Sequence, residues 1–206
     1  LYNQVTQDSL LHETARLGGS DPALDIARML CAEAPALVNQ CNRLGETPLH
    51  IAAQQPGLAA TDMVRFLLMK GADVGIATRH GITPFMRARN PRMVVAMTRT
   101  DEGQASLNAA DFAGRTAVYW AASRGNFYVL LALLFKGADF SLAANPNWGG
   151  LMVRTSLRDT PLLAAAVRKS ERCFGLLLAF GARLERCARL GNRAGLVDRD
   201  DEAATR

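Results

Sequence analysis

Lysine is nearly missing from this chain. Of its 24 basic residues only Lys70, Lys136 and Lys169 are lysine and the remaining 21 are arginine, against 19 acidic residues. The resulting net charge of +5 suits nucleic acid or an acidic protein surface. Three lysines, no basic helix and no row of stacking aromatics argue against nucleic acid. Cysteine is also sparse: Cys31, Cys41, Cys173 and Cys187 include no Cys-x-x-Cys pair, and the three histidines complete no metal-ligand spacing. No metal or other cofactor is expected, and the thiols read as free in a reducing, cytoplasmic compartment, although Cys31 and Cys41 flank one loop and could pair. No apolar run approaches the ~20 residues of a membrane helix, so a transmembrane reading is dropped. Leu1 to Gly18 lacks a basic start followed by an apolar core, so no secretory signal is expected there, and a chain that opens on Leu is expected to be a fragment. Glycine loops with Lys-Ser/Thr, His-Glu-x-x-His and Gly-x-Ser-x-Gly are all missing, and the expectation is that the chain is not an enzyme.

What the chain does contain is a repeated unit. In Gly45-Glu46-Thr47-Pro48-Leu49-His50-Ile51-Ala52-Ala53, Thr47 can cap a helix and Pro48 can take its first position, where the missing N–H costs nothing. Leu49, Ala52 and Ala53 give an apolar face small enough for a second helix, Met63 to Met69, to approach closely, and Gly71-Ala72-Asp73 stops it. Anchors equivalent to Thr47 fall at 9, 83, 116 and 160, giving intervals of 38, 36, 33 and 44. The stop returns as Gly137-Ala138-Asp139, 66 residues after Gly71, and in shortened form as Gly181-Ala182. Two independent markers therefore share one register of about 33 residues.

These residues resemble the ankyrin-repeat family, over roughly residues 4 to 193. The predicted fold class is an all-α ankyrin-repeat solenoid of about five helix-turn-helix repeats with β-turn fingers. The domain spans 1-194, with repeats at about 4-41, 42-77, 78-110, 111-154 and 155-187, a partial finger at 188-194 and a disordered tail at 195-206. The first copy diverges, as a terminal cap must if it shows one face to water. The third departs from the pattern: its first helix is cut short at Arg89, Asn90-Pro91 starts the second at once, and a distorted, less stable layer is expected. The largest insertion, Phe140 to Asp159, gathers turn formers around Trp148, which serves either as a contact element or as packing for a neighbouring finger.

The resemblance implies that His12 and His50 brace turns by hydrogen bonding and that binding uses the finger tips and the exposed end of each first helix. Carried over by position, this selects Arg43, Leu44, Glu46, Arg79, His80, Ile82, Phe112, Arg115, Arg124 and Arg158, with Trp148 in the insertion. Arg79, Phe112, Arg115 and Arg124 are the expected central anchors, flanked by Arg43 and Trp148. Arginine forks would engage carboxylates while Phe112 and Ile82 fill apolar hollows, and Phe112 has no evident role inside its own repeat. The predicted function is protein–protein interaction: a monomeric module binding a protein partner with an acidic surface, away from membrane and nucleic acid. The alternative is a substrate-recruiting part of a larger enzyme, since the arginine-rich array is similar to the C-terminal ankyrin regions of secreted bacterial effectors, including arginine ADP-riboxanases acting on host caspases.

Overall fold

A computed structural model describes residues 6–142 and 160–182. Ten of its helices fall into five consecutive couples, four of them packed together and the third, α5 with α6, barely touching: α1 (Leu10–Arg16) with α2 (Asp21–Glu33), α3 (Pro48–Gln54) with α4 (Ala59–Met69), α5 (Pro84–Arg87) with α6 (Pro91–Met97), α8 (Ala117–Arg124) with α9 (Phe127–Phe135), and α10 (Pro161–Val167) with α11 (Glu171–Ala179). The first members stack on one another as an inner row, and α4, α6, α9 and α11 stack as an outer row. One continuous core lies between the rows. Small inner residues, Ala15, Ala52, Ala53, Ala121, Ala122 and Ala165, are almost wholly buried and let the larger Leu67, Met93, Leu130, Leu133 and Leu177 of the outer helices close over them.

The anchors start the inner helices by two devices. Where histidine sits three residues after the cap, its ring does the capping: His50 Nδ1 accepts from the Thr47 N–H at 3.1 Å and lies 2.9 Å from the Thr47 hydroxyl, and His12 does the same for Ser9. In both, Nε2 reaches into the next repeat, donating to the carbonyl of Ile82 or Glu46. The bracing role expected of these histidines is therefore observed. In repeats four and five the threonine hydroxyl itself accepts a helix N–H, at Thr116 and Thr160.

The glycine stops behave as their sequence implies. Gly71, Gly137 and Gly181 have φ of +83°, +85° and +93°. The aspartate two residues after Gly71 accepts from the Gly75 N–H, and its own N–H is held by the Asn39 side chain of the preceding repeat.

The third layer is distorted. Its inner helix stops at Arg87, because Ala88 turns to an extended ψ of 129° and Asn90 caps α6 two residues later. Met86 replaces the bracing histidine, and the buried Thr83 hydroxyl is left with no partner. A further short helix, α7 (Asp101–Ser106), follows α6 and was not expected from the sequence. The second helix of repeat two also begins earlier than expected, at Ala59 rather than Met63. Cys31, Cys41 and Cys173 are free. Trp148, Arg158, the partial finger and the tail lie outside the described residues.

Candidate partner-binding face

Three turns between the pairs are built alike and stand side by side. In each, a polar side chain collects the turn's amides: Asn42 Oδ1 accepts from Leu44 and Glu46 N–H, the Thr78 hydroxyl from His80 and Ile82, and Asp111 Oδ1 from Ala113 and Arg115. A glycine with φ near +77° closes each one, at Gly45, Gly81 and Gly114. Backbone bonds then tie finger to finger: Arg43 N–H to Thr6 O, Arg79 N–H to Leu44 O and Phe112 N–H to His80 O, at 3.0 to 3.1 Å. Gly45 and Gly81 permit two of these approaches, since a Cβ would stand 2.8 Å from Arg79 N at the first and 2.8 Å from Phe112 N at the second. Among the described residues β structure amounts to isolated bridge positions, Ser9 and the pair Ala110 and Thr116, so these fingers are turns rather than strands.

This register places Arg43, Leu44, Arg79, His80 and Phe112 on successive tips, all exposed. Phe112 is 47% exposed, and its ring also lies against Gly81 of the preceding finger. It therefore has a packing role between repeats that its sequence position did not reveal. Ile82 is half-buried against the core.

Behind the tips, the floor is knitted together. Glu46, read from sequence as an exposed contact, is buried: its carboxylate pairs with Arg87 Nη2 at 2.6 Å and accepts from Asn42. Arg87 also donates to Gln54. In the next layer the buried Asp111 Oδ2 accepts from Arg115 Nε at 2.8 Å and from the Trp120 indole N–H at 3.1 Å. The Arg115 and Arg124 guanidiniums both lie over the Trp120 ring, 4.4 and 5.0 Å from its centroid. Arg124 donates as well to the Met86 carbonyl at 2.6 Å. Burial of its head, and then the neighbouring Arg89 and Arg87 cations, hold the Arg124 guanidinium below the ordinary arginine value.

Arg115 and Arg124 thus differ from the expectation of free forks, each being already engaged within the chain. Trp120 and Arg87 were missed, yet both lie four residues after an anchor threonine, the position Ile51 fills in repeat two. Among the described residues no group of three or more His, Cys, Asp or Glu side chains could hold a metal ion, and no helix is long and apolar enough to cross a membrane.

Stacked helix pairs joined through hydrogen-bonded fingers define a repeat solenoid with a finger-and-inner-helix face suited to protein recognition. The particular class follows from comparison: residues 2–78 match the family of ankyrin repeats (3 copies), and the chain is an ankyrin-repeat solenoid. It is 30% identical over 147 residues to neurogenic locus notch homolog protein 1 of Mus musculus, covering 70% of this chain and 6% of that protein. It is 31% identical over 147 residues to the B-cell lymphoma 3 protein homolog of Mus musculus, covering 69% of this chain and 30% of the relative. Neurogenic locus notch homolog protein 2 of Homo sapiens is 29% identical over 140 residues, 68% of this chain and 5% of its own length.

Proposed function

We propose that the chain binds a protein partner through its finger face, and that the partner presents carboxylates beside apolar side chains. The observation that carries this is the row of exposed Arg43, Leu44, Arg79, His80 and Phe112 on fingers held in register by backbone hydrogen bonds. Arg43 and Arg79 form no ion pair among the described residues, so their planar forks are available for bidentate contact with carboxylates. Leu44 and Phe112 supply the apolar anchors between them. Trp120, fixed by Asp111 and covered by two guanidiniums, forms a rigid floor rather than an adaptable contact, which keeps the ordering cost of binding low.

The test is affinity capture from source-cell extract with wild type and a Leu44→Ala, Arg79→Ala, Phe112→Ala variant of matched helical circular dichroism. A protein retained by wild type and lost by the variant is expected. Equal retention by both would overturn the assignment to this face. Nothing on the described surface favours the alternative of a recruiting part of an effector enzyme.

A further inference from the structure

The opposite, outer face carries a second concentration of positive charge. Arg65, Pro91, Arg92, Val95, Ala96 and Arg99 line a hollow of about 200 Å³ between α4 and α6. Arg92, Val95, Ala96 and Arg99 recur at helical spacing and so share one side of their segment. No carboxylate lines this hollow. Arg65 has one acidic neighbour, the exposed Asp62 at 3.7 Å, while Arg92 and Arg99 form no ion pair among the described residues, not even with Asp101 or Glu102 at the start of α7. Arg65 also lines a larger hollow of about 380 Å³ toward α2, whose apolar lining is Leu24, Phe66 and the exposed Met69 and whose charged lining is Arg28, Lys70 and the single carboxylate of Asp62. Asp25 and Asp62, the acids of this region, are each matched by one arginine at i+3.

We infer that these adjoining hollows form a second binding groove, separate from the finger face, for an acidic segment of a protein whose carboxylates alternate with apolar side chains. Three guanidiniums around an apolar floor match carboxylates by charge and by planar geometry, and Leu24, Phe66, Met69 and Val95 give the intervening side chains a place to lie. Phosphate is a poorer match. The first turn of α6 offers no amide cradle, because Pro91 has no N–H and the Arg92 N–H is already taken by the Asn90 side chain. Packed helices sit about 8–10 Å apart, so the two hollows call for acidic residues about 10 Å apart in the ligand. That spacing is roughly seven residues along a helix or three in an extended chain.

Fluorescence anisotropy with a labelled peptide of alternating glutamate and leucine pairs tests this directly. The probe should bind wild type, its glutamine–leucine counterpart should not, and Arg65→Ala, Arg92→Ala, Arg99→Ala should weaken binding at least about tenfold, as expected for losing three exposed charged contacts. The finger variant Leu44→Ala, Arg79→Ala, Phe112→Ala should bind the probe as wild type does. Reversing the groove with Arg65→Glu, Arg92→Glu, Arg99→Glu should transfer binding to a lysine–leucine peptide. The proposal is overturned if the outer-face alanine variant binds unchanged, if the finger variant is the one that loses the probe, or if a phosphoserine peptide or single-stranded oligonucleotide binds more tightly than the acidic peptide.

Discussion

Acidification should weaken this solenoid through its buried histidines, His50 foremost, before most carboxylates protonate. His50 is fully buried, and its Nδ1 faces two donors, the Thr47 N–H and hydroxyl, while Nε2 faces the Ile82 carbonyl. The neutral ring with its proton on Nε2 satisfies all three, and a proton added at Nδ1 would point at the Thr47 N–H, which can only donate. Burial, chiefly, and the nearby Arg87 cation bring His50 down from 6.5 to about 4. The unfolded chain therefore binds a proton between those two values that the folded chain refuses. Stability from His50 is complete above about pH 6.5 and falls as the pH drops toward 4. At about 1.4 kcal/mol per pH unit, the loss across that window is about 3 kcal/mol. His12, also lowered by burial, adds in the same direction. Urea unfolding of wild type and His50→Gln at about pH 7.5, 6.5, 5.5 and 4.5 measures it. His50→Gln should start less stable but show a distinctly shallower decline below pH 6.5. Parallel declines for the two proteins would show that His50 is not the source of the pH dependence.

Three further outcomes follow from the packing. Gly81→Ala should cost about 2–3 kcal/mol, because it combines a φ of +76° with a Cβ 2.8 Å from Phe112 N, whereas Gly137→Ala, at +85° in open space, should cost about 1 kcal/mol; thermal unfolding of the pair compares them. Asp111→Ala should destabilise by about 3–5 kcal/mol, since it strips partners from Ala113 and Arg115 N–H, Arg115 Nε and the Trp120 indole and leaves Arg115 without its counter-charge, and the change in Trp fluorescence should track the urea transition. Met86→His should add about 1 kcal/mol by giving the orphaned Thr83 hydroxyl a partner and letting Nε2 reach toward the next finger, with a higher urea midpoint as the readout.

Local signals carried most of the architecture. The Thr-Pro starts, the Gly-Ala-Asp stops and the histidines at 12 and 50 act within a few residues of one another or one repeat away, so a register of 33 makes them visible in the sequence. Contacts made by side chains that do not recur from repeat to repeat were not visible. Glu46 read as an exposed finger residue because its partner Arg87 lies 41 residues further on, in the irregular third layer. Arg115 read as a free fork because nothing in Asp111-Phe112-Ala113-Gly114-Arg115 reveals that the aspartate side chain turns back on the arginine. Helix α7 was hidden by its lack of apolar periodicity and by Gly103, which is tolerated there because its bare Cα packs on the Met97 carbonyl. Trp120 could have been found by counting four residues from Thr116, the place that Ile51 and Arg87 occupy after their own threonines.

Site-specific photo-crosslinking would locate a protein partner bound across the fingers. A photoreactive phenylalanine analogue would replace Phe112 on the third finger or Tyr128 on the outer surface of α9, which is 58% exposed. Irradiation in source-cell extract should give a discrete protein adduct from position 112 that is absent from 128 and is suppressed by Leu44→Ala with Arg79→Ala. An adduct formed only from position 128, or one from 112 that is indifferent to the Leu44 and Arg79 substitutions, would contradict binding across the fingers.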